Sequence, residues 1–298
     1  MDTFTRMRGM LRTSWIAALA AVGLAGCGGS GGSAPSSTNP SSTNPPTATS
    51  DVGTLLISLT DADGDFVGYS VDVLSVTLQR RGGGTVEVLP AATRIDFAQL
   101  TELSDLLAVA TLAPGDIVGG KIRLDYSNVE VFVQSGGQVV KAKVVGADGA
   151  PLGVKELEIQ LPERERLVIT RGRAAMLSLD FDLAASHEVD VIQSPPLVKA
   201  RPYIVAEIDP VAEKDLRMRG ALVSTDVAGS SYTVDVRPWF RPDGAHGRVT
   251  VHTNASTSFE IDGVPSTGAA GLAALATKPA GTSVKRTSRS IPVKIGLG

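Results

Sequence analysis

The chain has 298 residues, 43% of them hydrophobic and 20% charged, with a formal net charge of −3 at pH 7. That balance fits a folded protein and argues against a general nucleic-acid binder, which needs a basic face. Cys27 is the single cysteine, which excludes internal disulfides and cysteine-based zinc sites.

Arg6, Arg8 and Arg12 precede an apolar run from Trp15 to Val22, which passes through Gly23-Leu24-Ala25-Gly26 into Cys27. A basic start, a short apolar stretch and small residues make a secretory signal. The run is too short for a spanning helix, which needs about 20 apolar residues. Leu24-Ala25-Gly26-Cys27 resembles the lipobox of bacterial lipoproteins. The resemblance implies a diacylglycerol on the Cys27 sulfur, cleavage ahead of Cys27 and acylation, palmitate included, at the new amino terminus. Each buried methylene adds roughly 0.8 kcal/mol, and anchoring becomes stable with two or more chains. The expectation is therefore a signal peptide over 1–26, a cell-envelope address and a membrane partner reached through lipid on Cys27. Gly28, rather than Asp, follows the cysteine, and by the sorting rule attached to lipoproteins this implies the outer membrane. Loss of residues 1–26 removes three Arg and one Asp, leaving 25 basic and 30 acidic side chains and a net charge of −5.

Residues 28–50 hold only Gly, Ser, Ala, Pro, Thr and Asn, and Ser41-Ser42-Thr43-Asn44-Pro45 repeats the five residues before it. Such a stretch has nothing to bury. With Cys27 it predicts a flexible tether over 27–52; the stretch 28–50 spans ~75 Å when extended and averages roughly 26 Å as a coil.

From Gly53 the pattern becomes two-residue alternation. Leu55, Ile57 and Leu59 share one face, then Val71 and Val73. Leu74, Val76 and Leu78 follow with the opposite parity, which predicts a β-bulge near Leu74. Ile122, Leu124 and Tyr126 alternate with Lys121, Arg123 and Asp125, and Leu177, Leu179 and Phe181 alternate with Ser178, Asp180 and Asp182. One stretch has three-to-four spacing: Leu100, Leu103, Leu106, Leu107 and Ala110, with Thr101 as cap, predict a short helix. A break at Asp209-Pro210 and Glu213-Lys214-Asp215 precedes renewed alternation at Tyr232–Val236, Val249–Val251 and Phe259–Ile261. After Asp262 no acidic residue occurs, while Lys278, Lys285, Arg286, Arg289 and Lys294 are basic. The predicted fold is all-β: an antiparallel β-sandwich with one short helix over 53–210, then a small β-barrel-like module over 217–277. Residues 278–298 form a basic tail, open between a disordered end and part of that module.

Several short stretches resemble the bacterial family named domain of unknown function 4382. They are Leu59-Thr60-Asp61-Ala62-Asp63-Gly64-Asp65, Ile95-Asp96-Phe97-Ala98-Gln99-Leu100, Leu112-Ala113-Pro114-Gly115 ahead of Lys121-Ile122-Arg123-Leu124, Leu179-Asp180-Phe181-Asp182, and Ala200-Arg201-Pro202-Tyr203-Ile204. The resemblance covers residues 53–209. It departs at Asp63, where the family has Pro, and after Pro114-Gly115, where an aromatic is missing. Residues 218–277 resemble a small β module, domain of unknown function 5666. Both resemblances imply fold and location and assign no reaction.

Three constellations invite chemistry. Asp61, Asp63 and Asp65 stand at alternate positions, with Asp72 later, and make a candidate calcium loop, since calcium takes six to eight oxygens. The EF-hand template does not fit, because Gly64 falls fourth and Asp72 twelfth; an Asp/Gly turn bonding its own backbone is the competing reading. Asp180 and Asp182 make a carboxylate pair that suits a hydrolase or, more simply, a strand face paired with Arg123 or Arg201. Trp239-Phe240, between Pro238 and Arg241-Pro242, form an aromatic knot that stacks on a sugar or peptide or plugs the small module. His187, His246 and His252 show no metal-ligand spacing.

Together these residues predict a membrane-anchored, non-enzymatic binding or interaction module with no cofactor beyond a candidate calcium. Its partner would be an envelope protein or a glycan, and no nucleic acid. Two alternatives stand beside it: a structural or assembly lipoprotein without a specific ligand, and a carbohydrate-binding protein or carboxylate-dependent hydrolase.

Overall fold

The computed structural model describes residues 51–61, 65–161, 166–208, 215–238 and 245–288. In chain order the strands are β1 (Gly53–Thr60), β2 (Phe66–Arg80), β3 (Thr85–Glu87), β4 (Thr93–Asp96), β5 (Leu103–Leu112), β6 (Gly115–Ser135), β7 (Gln138–Gly146), β8 (Val154–Gln160), β9 (Leu167–Ile169) and β10 (Ala174–Asp180). A one-turn helix α1 (Leu183–Ser186) follows, then β11 (His187–Asp190), β12 (Leu197–Ala200) and β13 (Val205–Ile208). The C-terminal part comprises β14 (Asp215–Asp226), β15 (Ser231–Val236), β16 (Arg248–His252), β17 (Ser258–Ile261), β18 (Val264–Thr267), α2 (Gly268–Ala276) and β19 (Ser283–Ser288).

Two sheets carry nearly all of these strands. One has the order β13-β10-β1-β5-β14-β15-β16, with β19 also on β14; the other runs β11-β12-β7-β6-β2-β3, with β4 on β2 and β8 and β9 on β6. The hairpin β17-β18 stands apart. The chain is an all-β sandwich. Its main core lies between the sheets, where Leu55, Ile57 and Leu59 of β1 meet Val71 and Val73 of β2 and Ile122 of β6. Most pairs are antiparallel, as alternation predicts, but β1 with β10, β7 with β12 and β5 with β14 are parallel.

The bulge expected near Leu74 is present. The β2–β6 register shifts between Val73 and Ser75, and Tyr69, Val71 and Val73 before it and Val76 and Leu78 after it are all fully buried. A single extra residue swaps the parity, so one face of the strand stays apolar across the kink.

The helix expected from Leu100 to Ala110 is corrected: Leu103–Leu112 is the central strand β5, and only a turn of 3-10 helix, Phe97–Gln99, precedes it. The reason lies in burial on both faces. Leu107, Ala108 and Leu112 enter the main core, whereas Leu106 joins a second apolar cluster on the opposite face of the sheet. The pairing with β1 places Ile57 opposite Ala108 and Ser58 opposite Leu106, so Leu107 is a bulged extra residue. A strand apolar on both sides and interrupted by a bulge loses its two-residue period, and its leucines then fall at helical spacing.

The C-terminal strands do not close into a barrel of their own. β14 continues the first sheet through Asp215–Arg217, which pair in parallel with Leu103–Asp105. Its apolar residues Leu216, Met218 and Leu222 pack with Val234, Val249 and Leu272 against Leu56, Leu106 and Met176, which face away from the main core. Residues 283–288 do not belong to an unstructured tail: β19 pairs antiparallel with β14 from Leu216 to Ala221, and half-buried Val284 packs on the second cluster. Val284 and Arg286 share the half-buried face of β19, and Lys285 is on the exposed one.

Two contacts lock the parallel junction. Arg217 donates from Nε to Asp105 Oδ1 at 2.7 Å and from Nη2 to Asp105 Oδ2 at 2.5 Å, with both side chains under 10% exposed. Farther along β5, the Val109 amide donates to the His246 carbonyl at 2.7 Å. Gly247 follows with φ +103°, and an added Cβ would sit 2.0 Å from the Val109 carbonyl oxygen, so no other residue fits there.

Removing one partner of a buried ion pair strands the other charge. Asp105→Ala is expected to lower unfolding stability by about 3–5 kcal/mol in urea denaturation of the full chain. The double replacement Asp105→Leu with Arg217→Met should restore most of it, because well-packed apolar groups of similar volume carry no desolvation cost. A single-variant loss below ~1 kcal/mol would show that the pair does not hold the junction.

Candidate functional site

Two members of the candidate calcium loop, Asp61 and Asp65, are among the described residues. Asp61 is fully buried, and its Oδ1 accepts the Leu183 amide at 2.8 Å, tying the end of β1 to α1. Asp65 is exposed, and Asp63 lies outside the described residues. Among the described residues, no three His, Cys, Asp or Glu side chains come together as a metal-binding group. Asp180 and Asp182 are likewise not a matched pair on one strand. Asp180 ends β10, while Asp182 is the N-cap of α1: its Oδ1 accepts from the Ala185 amide at 2.9 Å and its Oδ2 from the Tyr203 hydroxyl at 3.1 Å. The lipobox residues Leu24, Ala25 and Gly26, the lipidation residue Cys27, and Trp239 and Phe240 lie outside the described residues.

His187, which shows no metal-ligand spacing in the sequence, sits in a largely buried polar cluster of the sandwich. The Tyr69 hydroxyl lies 2.6 Å from Nε2, and Nδ1 lies 3.0 Å from the Leu183 carbonyl and 2.7 Å from Ser186 Oγ. A neutral ring with its proton on Nδ1 satisfies this set, donating to Leu183 and accepting from Tyr69. Phe66 and Tyr69 stand edge-on to the imidazole, with ring centroids at 5.4 and 4.8 Å. Burial pushes the His187 pKa down to about 4, and burial likewise raises the Tyr69 hydroxyl well above its usual range. Ser186, beside the ring, is 3% exposed and donates its hydroxyl to the Asp182 carbonyl at 2.7 Å. The cluster has the residue types of a nucleophile and base, but its serine is sealed and engaged, and its chemistry is that of a structural hydrogen-bond relay.

The concave surface lies elsewhere, in the C-terminal part. A groove of about 740 Å³ runs between β17, the end of α2, and β15 and β19. Buried Tyr232 and Leu275 and half-buried Phe259 form its base. Its walls are rich in hydroxyl and amide groups, among them Asn254, Thr257, Thr282 and Thr287. The Asn254 side-chain oxygen accepts the Ser256 amide at 3.0 Å and lies 3.2 Å from Thr257 Oγ1, which fixes this rim in a tight turn. Lys278, at one end, pairs with Asp262 at 2.5 Å. Lys285 and Arg286 also line the groove, and among the described residues no ion pair reaches either. Burial pushes the Tyr232 hydroxyl up, and the positive charge of Arg286 opposes that shift.

Residues 52–194 match the family model described as a domain of unknown function, DUF4382. The DUF4382 segment therefore contains β1 to β11, with Asp105 and the His187–Tyr69 relay; it includes the first four stretches that carried the resemblance and ends before the fifth, Ala200–Ile204. Every residue lining the groove lies after it. No curated protein and no solved structure matches the chain.

Sequence reasoning missed both features. His187 has no motif around it, and the relay forms only because β2 and α1 meet at one end of the sandwich. The groove draws on five elements, β15, β16, β17, α2 and β19, and the one legible signal was the run of unbalanced cations after Asp262.

The relay makes stability depend on pH with a defined sign. The folded His187 pKa of about 4 lies below its ordinary 6.5, so the unfolded chain binds the proton more readily. Its contribution is complete above pH 6.5 and is lost as pH falls through about 4. Over that window the full chain is expected to lose roughly 3 kcal/mol that a His187→Gln variant does not lose. Chemical denaturation at stepped pH checks this; parallel slopes for the two proteins would remove His187 as the cause.

Proposed function

We propose that the chain is an envelope lipoprotein, acylated on Cys27, that works as a non-enzymatic binding module held outside the membrane on a flexible tether. The groove between α2, β15 and β19 carries the binding role: it is an accessible, polar concavity with cations in place, at the far end of the chain from the anchor. The titratable groups of the sandwich support the same reading, since Asp61, Asp182 and His187 are engaged in holding elements together.

Leu24-Ala25-Gly26-Cys27 behind a short apolar run supports the anchor, and Gly28 after the cysteine supports an outer-membrane address. Residues 27–52 serve as the spacer, 53–210 as the sandwich, and the small β module beyond, similar to domain of unknown function 5666, as the part that presents the groove. Two acyl chains or more give lasting attachment, and a tether without charge or large apolar groups leaves the folded part free to orient toward its ligand.

Labelled palmitate fed to cells should enter the protein and keep it in the membrane fraction, while Cys27→Ala should lose the label and become soluble. A labelled Cys27→Ala form, or an unlabelled native one, would refute the anchor. For binding, a photo-reactive side chain at Thr287, in the groove, should give an envelope adduct that one at Val139, exposed on the other sheet, does not. Equal adducts, or none at Thr287, would refute a binding role for the groove.

A further inference from the structure

The groove has a chemistry specific enough to name its ligand class. Its cations outnumber its acids: Lys278, Lys285 and Arg286 line it with Glu260 and Asp262, and Lys278 is neutralised by Asp262. What remains is a small positive excess centred on β19, in a chain whose net charge is −3. Such a site attracts a ligand bearing sparse negative charge. A densely charged polyphosphate chain would gain little from one excess charge and would meet the acidic remainder of the surface.

The rest of the lining points the same way. Hydroxyl and amide groups at Asn254, Ser258, Thr282 and Thr287 both donate and accept, which suits a ligand rich in hydroxyls. Half-buried Phe259 supplies ring surface against which the C–H face of a pyranose packs. The volume of about 740 Å³ lies within the usual range for small-ligand sites, roughly 300–1,000 Å³. Arg286 is half-buried while Lys285 is exposed, so the guanidinium has less water to give up when it meets a carboxylate and can form two parallel hydrogen bonds with it.

We propose that the groove binds an acidic oligosaccharide, with Arg286 holding its anionic group and the hydroxyl-lined walls holding its sugar hydroxyls. This rests on the binding role proposed above and narrows it to a ligand class.

The test is calorimetric titration of the full chain, extracted from membranes in detergent, with trigalacturonate, maltotriose and inorganic phosphate as probes. Trigalacturonate should bind at least about tenfold more tightly than maltotriose or phosphate, and weaken as salt rises. Arg286→Gln should weaken trigalacturonate by about tenfold and Lys285→Gln by about threefold, with maltotriose unaffected. Lys285 is exposed, so its variant reads the charge effect even where Arg286→Gln disturbs folding. Equal binding of maltotriose, or no effect of either substitution, overturns the acidic class. Phosphate binding as tightly as trigalacturonate overturns the sugar. Silence toward trigalacturonate overturns the inference as well; an adduct at Thr287 in that case leaves the binding role standing, and no adduct removes both.

Discussion

A carboxylate and a guanidinium, Asp105 and Arg217, face each other across two parallel strands where both are almost sealed from water. The desolvation of each charge is offset in large part by the short bidentate contact with the other. The pair fixes the register of β14 on β5 to a single alignment. That alignment sets the strands that follow: Leu216 and Met218 land on the second cluster, and β19 pairs along the other side of β14. The groove is bounded by β15 and β19, both of which hydrogen-bond to β14. The position of the groove is therefore a consequence of one buried contact about seventy residues upstream of Arg286.

The sandwich was readable from alternation wherever a strand had one wet face. β2 shows this well, since even its bulge could be placed from the parity change at Leu74. Alternation failed for β5 because that strand has no wet face over Asp105–Ala108. Its outward leucine, Leu106, is covered by residues more than a hundred positions later, and no local window contains them. Asp61 shows the same limit for a site. In the sequence it looks like the first member of a solvated turn; in the fold it is the buried acceptor for the Leu183 amide, a partner 122 residues away. The groove was the least legible feature, because hydroxyl residues scattered over β16–β19 carry no spacing signal.

The titratable groups divide into two populations. Those of the DUF4382 segment are used to close structure: His187 is held neutral between Tyr69 and Leu183, Asp182 caps a helical turn, and Arg94 lies within 3.4 Å of both Asp72 and Glu130. Those of β19 and the end of α2 line a concavity. This separation is why the proposed binding role is assigned to the C-terminal part. The sandwich holds it in place.

The two-faced burial of β1, β5 and β10 also sets an order of assembly. The polypeptide emerges amino terminus first, so Leu56, Leu106 and Met176 are made before Leu216, Met218 and Val234 exist to cover them. Until β14 arrives, the outer side of the central strands is a sticky apolar face with the Asp105 carboxylate set in it. The nascent sandwich must stay shielded or unfolded until then, and a chain cut at the end of the family match would keep that face for good.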